Sequence, residues 1–322
     1  MTPFVSILIP CFNAERWICQ AIESALAQTW SRKEVIVVDD GSTDGSLDVI
    51  KGFGDRIRWE ADANRGGNAT RNRLLELAQG DWLQYLDADD YLKPDKVELQ
   101  VKALDTFRDV DVLFGPVIVE WRVGDAIRIE ELAIPKPHDP WQLLALWRLP
   151  QTGAPLWRKS ALRDVGGWAV DQPCCQEHEL YLRLLIAGKR LEHHQASGAV
   201  YRSFSNGTLS TRDPALVRRE RLKIEKRLEE HLTAIGELTP DRQWAINQAR
   251  FDMARSSWNE DRKEARAIFA AISSAETFRP AGPKVPQLYR LAFGLFGFEA
   301  AERIATISRV ALRPSRWDIG KR

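Results

Sequence analysis

The chain has 322 residues, 44% hydrophobic and 28% charged, enough for one large domain with an appendage or for two modest domains. Its formal net charge of +1 gives no global field for nucleic acid or an acidic surface, and excludes a nucleic-acid partner as the leading reading. The four cysteines (Cys11, Cys19 and the adjacent Cys174-Cys175) show no CxxC spacing, so reduced thiols and a cytoplasmic setting are expected. Val5 to Pro10 is too short and lacks the basic leader of a signal peptide. No apolar run approaches the roughly 18–20 residues that span a bilayer.

In chain order, Val5 to Ile9 is short, apolar and β-branched, which predicts a buried parallel strand. Trp17, Ile18, Ala21, Ile22, Ala25 and Leu26 recur at helical spacing. Glu34 to Val38 predicts a second strand running into Asp39-Asp40-Gly41-Ser42, with Ser42 or Thr43 placed to cap the next helix. Ile57 to Glu60 is a third strand, followed by the turn Asn64-Arg65-Gly66-Gly67-Asn68 and a helix carrying Leu74, Leu75 and Leu77. Trp82 to Leu86 is a fourth strand that ends in Asp87-Ala88-Asp89-Asp90. This alternation predicts a Rossmann-like, mostly parallel sheet flanked by helices, which binds ligands at the carboxyl ends of its strands.

Farther on, Val112 to Phe114 and Val117 to Val123 read as strands, with Ile127 to Ile129 a hairpin partner after Gly124-Asp125. Trp141 to Trp147 reads as a short helix, Ala154 to Trp157 as a strand, Glu177 to Ala187 as a helix, and Val200-Tyr201 as the last strand. The remainder is helical: Leu216 to Ile235, a helix opened by Thr239-Pro240-Asp241, and a helix–turn–helix around Asn259-Glu260-Asp261. Leu288 to Leu312 is apolar but broken by Arg290, Glu299, Glu302 and Arg303, open to docking on the preceding domain or to lying on a membrane face. The boundary is set at 1–212 for the α/β domain and 213–322 for the helical extension.

Two strands end in carboxylate pairs. Asp87 and Asp89 stand two apart, which in extended chain aims both side chains one way, and no basic neighbour is evident in the local sequence. Capping, a ligand contact and a hard cation such as Mg²⁺ or Mn²⁺ all suit them. Asp39-Asp40 suits either the donor groups of a base or ribose, or a helix cap. Arg71 follows the glycine-rich turn, where a guanidinium meets a diphosphate or simply faces water. The twelve tryptophans suit core packing, with stacking on sugar faces open for Trp157 and Trp168.

The segments Val5 to Glu15, Gln28-Thr29-Trp30, Val37 to Ser46, Asn64-Arg65-Gly66, Thr70-Arg71-Asn72 and Leu86 to Asp90 together resemble family-two glycosyltransferases of the GT-A fold, in order and at family-like spacing. The resemblance covers about Val5 to Ser210. It implies an inverting, metal-dependent enzyme moving a sugar from a nucleoside-diphosphate sugar, UDP-linked by default, to a hydroxyl of a glycan or lipid-linked acceptor. Pro10, Phe12, Asn13, Glu15, Asp39, Asp40, Arg71, Asp87 and Ala88 would bind the nucleotide sugar; Asp87 and Asp89 would hold Mn²⁺ or Mg²⁺. Leu162 to Trp168 resembles the family's leucine–glycine–glycine–aromatic turn, with Ala169-Val170 in place of the usual acidic pair. Gln176 to Leu184 resembles the segment of the catalytic base, with Glu177 where Asp is usual; Glu179 lies about 200° round the helix and faces elsewhere. Tyr201-Arg202 matches a family pair, but Phe204 replaces a frequent His, and no motif supports His193 or His194 in its place. The alternative is a non-catalytic nucleotide-sugar-binding or scaffold protein on the same fold. The C-terminal helices allow peripheral contact at the inner face of a membrane.

Overall fold

A computed structural model of the protein describes residues 2–123, 126–203, 213–282 and 285–311. The Gly124-Asp125 turn, Phe204 and Leu312 lie outside the described residues. The chain divides into two compact units, Met1–His231 and Leu232–Arg322.

The first unit opens with β1 (Val5–Cys11), α1 (Ile18–Leu26), β2 (Lys33–Asp39), α2 (Ser46–Lys51), β3 (Arg58–Ala61), α3 (Gly67–Leu77) and β4 (Trp82–Tyr85). It continues through β5 (Tyr91–Leu92), α4 (Lys96–Ala103), β6 (Val112–Phe114), β7 (Val117–Val123), β8 (Ala126–Leu132), α5 (Pro140–Ala145) and β9 (Leu156–Arg158). Then come α6 (Lys159–Asp164), α7 (Gln176–Ile186), β10 (Leu191–His193), β11 (Ala199–Ser203) and α8 (Pro214–Ala234).

Seven strands form the main sheet in the order β10-β6-β9-β4-β1-β2-β3. β1 pairs in parallel with β2 and β4, β2 with β3, and β10 with β6; β9 alone runs antiparallel, to both β4 and β6. The expected mostly parallel α/β sheet is therefore present. Its register follows from burial. Val5, Ile7, Ile9 and Cys11 share a core with Ile18, Ala21, Ile22 and Ala25 of α1, and the intervening Ser6 and Leu8 are fully buried too. A strand covered on both faces needs a continuous apolar run, and β1 supplies one. A second sheet, β5-β11-β7-β8, ends in β8, whose seven residues are all exposed and carry Arg128, Glu130 and Glu131, charges that blunt an open edge.

Two local expectations change. Neither Ser42 nor Thr43 caps α2: Gly45 holds the N-cap position, Asp44 Oδ1 accepts from the Ser46 N–H at 3.0 Å, and the Ser42 hydroxyl accepts from the Asn13 N–H instead. Trp157 and Trp168 offer no face to a sugar. They are 0% and 1% exposed and pack with Tyr181 and Tyr85, so the core consumes their area. The compact units divide at 231/232, within α8. In that helix Arg227 pairs with Glu179 at 3.1 Å and His231 stacks on Trp141 at 5.5 Å.

The second unit holds α9 (Pro240–Ser257), α10 (Arg262–Ala270) and α11 (Gln287–Ala311), the last interrupted at Gly297, whose φ is 76°. Thr239 accepts from the Arg242 N–H and Asp261 from those of Lys263 and Glu264, so side chains satisfy the first turns of α9 and α10. Phe251 centres the core, with Phe278, Tyr289, Phe293 and Phe298 around it at 5.5–6.1 Å. Among the described residues no helix is long and apolar enough to cross a membrane, and all four cysteines are free.

Lys96, at the start of α4, is 1% exposed and donates to Gln84 Oε1. Burial pushes its pKa well below the ordinary 10.5. The unfolded chain therefore binds this proton more tightly, so the contribution of Lys96 to stability is full above about pH 10.5 and declines as pH falls. Replacing it by Met is expected to remove that slope. Unfolding free energies of Lys96→Met and the native protein, measured by urea denaturation from pH 7 to 10.5, should differ by an amount that changes with pH; a constant difference would contradict a neutral amine.

Candidate active site

The carboxyl ends of β1, β2 and β4 open on one cleft of about 610 Å³. Pro10, Phe12, Asn13, Asp40, Arg71, Asp87, Ala88 and Asp89 all line it, as the strand-end rule requires. Glu15 faces an adjoining depression with Asp44, where its Oε2 accepts from the Gly45 N–H at 3.1 Å. Asp39 is 1% exposed and does not line the cleft; it closes the β2 turn by accepting from the Ser42 N–H at 3.0 Å. Glu177 also lies outside the ring of lining residues.

The rim is fixed by backbone contacts. Asp40 Oδ1 and Oδ2 accept from the N–H groups of Arg65 and Gly66 at 2.8 and 3.0 Å, so this carboxylate anchors the loop that enters α3. Gly41 has φ 73°, and a Cβ there would stand 2.7 Å from the Asn64 nitrogen, which only glycine tolerates. The loop delivers Gly66 and Gly67, the N-terminus of α3, to the cleft wall, where the helix dipole favours an anion. Phe12, 50% exposed, and Trp17 present aromatic rings at the mouth.

Arg71, one turn into α3, is 9% exposed. Its Nη2 donates to Asp87 Oδ1 at 2.7 Å, its Nη1 to Gln176 Oε1 at 3.1 Å, and its guanidinium stands 5.0 Å from the Trp168 ring. Burial opposes its charge, but the carboxylates of Asp87 and Glu177 outweigh that and hold its pKa above the ordinary value. Arg71 thus ties the end of β4 to the start of α7. There Glu177 is half-buried, and its Oε1 accepts from the Thr152 hydroxyl at 2.7 Å. Glu179 is taken up elsewhere, 6% exposed between Arg183 and Arg227 at 2.7 and 3.1 Å.

Asp87 and Asp89 converge through a turn, closed by the Asp90 N–H donating to the Asp87 carbonyl at 3.0 Å, and not through extended backbone. Burial raises the Asp89 carboxyl above the ordinary range and the Asp87 charge adds to it; Asp90 is driven well above by burial, then by Asp89 and Asp87. Arg202, 4% exposed, steadies this turn. Its Nη1 donates to the Asp89 carbonyl at 3.0 Å, its N–H to Asp90 Oδ1 at 2.8 Å, and its guanidinium lies over the rings of Tyr91 and Trp17 at 4.6 and 5.0 Å. Cys11 also lines the cleft, but burial, then Asp39, pushes its thiol up to about 12, so it is no nucleophile.

Among the described residues no third His, Cys, Asp or Glu joins the acidic pair. Two mutually repelling carboxylates beside an open cleft fit a magnesium- or manganese-type ion, which commonly takes one or two protein carboxylates and completes its shell with phosphate oxygens. Sequence reasoning missed Trp17, Asn64, Thr70, Thr152, Gln176 and Arg202. Asn64, Thr70, Gln176 and Arg202 carried a signal, by standing inside matched motifs; Trp17 and Thr152 carried none.

Residues 6–164 match the sequence model of Glycosyl transferase family 2. An uncharacterized glycosyltransferase of Haemophilus influenzae is 41% identical over 103 residues, which cover 31% of this chain and 41% of the relative, so the chain spans under half of that protein. Among solved structures, Staphylococcus aureus TarS 1–349 superposes with TM-score 0.64 at 15% identity, over 99% of this chain and 94% of TarS 1–349; the same protein was solved with UDP-GlcNAc. Mannosyltransferase PcManGT of Pyrobaculum calidifontis, in complex with GDP-Man and Mn²⁺, superposes with TM-score 0.51 at 16% identity, over 99% and 89% of the two chains.

Arg71→Met removes the counter-charge from Asp87 while leaving the apolar stem in place. Breaking a fully buried ion pair from one side costs about 3–5 kcal/mol, and the cost here should be smaller because Asp87 is 27% exposed. The substitution should also raise the Asp89 carboxyl further, since Asp87 repels it unopposed. Urea denaturation and carboxyl NMR titration test the two effects, and an unchanged Asp89 titration would show that the Arg71 charge does not reach Asp89.

Proposed function

With residues 6–164 belonging to glycosyl transferase family 2, we propose that this protein is an inverting glycosyltransferase that moves a sugar from a nucleoside-diphosphate sugar to an acceptor hydroxyl. The observation that carries the reading is the meeting of Asp87, Asp89, Arg71 and the α3 N-terminus in one cleft, a set suited to a diphosphate. The UDP-GlcNAc complex of TarS supports a UDP-linked donor, and the GDP-Man complex of PcManGT supports Mn²⁺ beside it. The acceptor is a polysaccharide, glycolipid or protein glycan.

In this reading the base lies against Phe12 with its edge toward Asp40, and the diphosphate lies between Arg71 and the first N–H groups of α3. Asp87 and Asp89 would hold Mn²⁺ or Mg²⁺, which when bound neutralises the charge that grows on the leaving diphosphate. Glu177 takes the acceptor's hydroxyl proton onto its carboxylate as the acceptor oxygen attacks the anomeric carbon from the face opposite the leaving group. One displacement forms the new glycosidic bond, breaks the sugar–phosphate bond and inverts the centre. The Thr152 hydroxyl holds one Glu177 oxygen, which orients the other. Glutamate is one methylene longer than the usual aspartate, and Glu177 stands on the first turn of α7 next to Gln176, which Arg71 binds at 3.1 Å.

Glu177→Gln is expected to retain donor binding, read as a thermal shift with UDP-sugars and Mn²⁺, and to lower turnover by about 10²–10⁴-fold. Asp89→Ala is expected to lose nearly all transfer, about a few kcal/mol of barrier, measured as UDP release. Wild-type turnover in Glu177→Gln would remove Glu177 from the base position. Metal-dependent donor binding without turnover on any acceptor would instead make the protein a non-catalytic binder.

A further inference from the structure

Helix α11 is apolar on both sides. Tyr289, Ala292 and Phe293 face inward and are buried, with Phe293 against Phe251 and Phe278. On the outside Leu288, Leu291 and Leu295 recur at spacings of three and four, with Phe296 beside them, and these four are 82%, 61%, 64% and 66% exposed. A surface helix ordinarily turns a polar face to water, and a contiguous exposed apolar patch marks an interaction surface.

Charge identifies the occupant. From Gln287 to Phe298 the only charged residue is Arg290, which is exposed. The nearby acids are already engaged: Glu299 pairs with Arg266 at 2.8 Å, and Glu302, fully buried, with Arg255 at 2.5 Å. Beyond the Gly297 break Ile304 and Ile307 are exposed again, and Arg303, also exposed, pairs with Glu299 at 3.7 Å. Residues 312–322, which follow directly in sequence, add Arg313, Arg316, Lys321 and Arg322 against the single acid Asp318, together with Trp317. A second copy of the chain on this face would bring like charges together. A bilayer with anionic headgroups takes the leucine and phenylalanine side chains into its boundary and attracts the arginines. We propose that the Leu288–Phe296 face of α11 lies in the surface of an anionic membrane, parallel to it and not across it. The inference is independent of the transfer reaction.

The test uses the full chain in co-sedimentation with vesicles of phosphatidylcholine alone and of phosphatidylcholine with phosphatidylglycerol. Binding to the anionic vesicles is expected, weakened about tenfold or more by high salt. The double substitution Leu291→Asp, Phe296→Asp should reduce it at least about tenfold while the melting temperature and helical circular dichroism stay as in the native chain, because both side chains point outward. No partition onto anionic vesicles, or equal partition by the double variant, overturns the proposal. A concentration-dependent dimer that the double variant abolishes, without vesicle binding, assigns the face to a second copy and overturns it as well.

Discussion

The site depends on one buried ion pair, Arg71 with Asp87 at 2.7 Å, whose side chains are 11% and 27% exposed. Taking a guanidinium out of water is costly, and such a cost is offset only when carboxylates and further acceptors surround it. Here Asp87, Gln176 and the nearby Glu177 do so, with the Trp168 ring below. The pair joins segments that are distant in sequence: α3, the end of β4 and the first turn of α7. One side chain therefore links the acidic turn to the residue that precedes Glu177.

A second arginine completes the support. The acidic turn carries Asp87, Asp89 and Asp90 in close succession, and their mutual repulsion works against the fold. Arg202 answers it from β11 by binding the backbone of the turn through Asp89 and the carboxylate of Asp90. The two sheets therefore share responsibility for the cleft: the parallel sheet supplies the acids, and the smaller sheet supplies the cation that steadies them. Trp17, stacked under that same guanidinium, carries the arrangement to the cleft wall.

Most of the α/β unit was legible in the sequence because its strands are continuous apolar runs and its early helices keep the 3.6-residue period. Strand β5, with two residues, and β10, with three, are too short to show any period, and α4 is obscured by buried Lys96 and Gln100 at positions that read as polar. The cleft residues were legible by motif, yet their partners were not. The local sequence shows no basic neighbour for Asp87 because Arg71 lies sixteen positions away, across a helix and a strand. Trp157 and Trp168 invited a ligand role because composition says nothing about which tryptophan the core claims. The division at His231 depends on tertiary contacts of α8, which its charge-rich sequence does not announce.

The antiparallel strand β9 sets how the two halves of the domain meet. Between β6 and β9 the chain leaves the main sheet for some forty residues, building β7, β8 and α5, and then returns to the gap between β4 and β6. Because the returning strand is clamped by hydrogen bonds on both sides, the excursion begins and ends at fixed points. The excursion is also tied to the cleft along its length: β7 pairs with β11, which carries Arg202, and Thr152 and Gly153 bind Glu177 and Gln84. Such a plan lets a single returning strand fix where the second half of the domain joins the first.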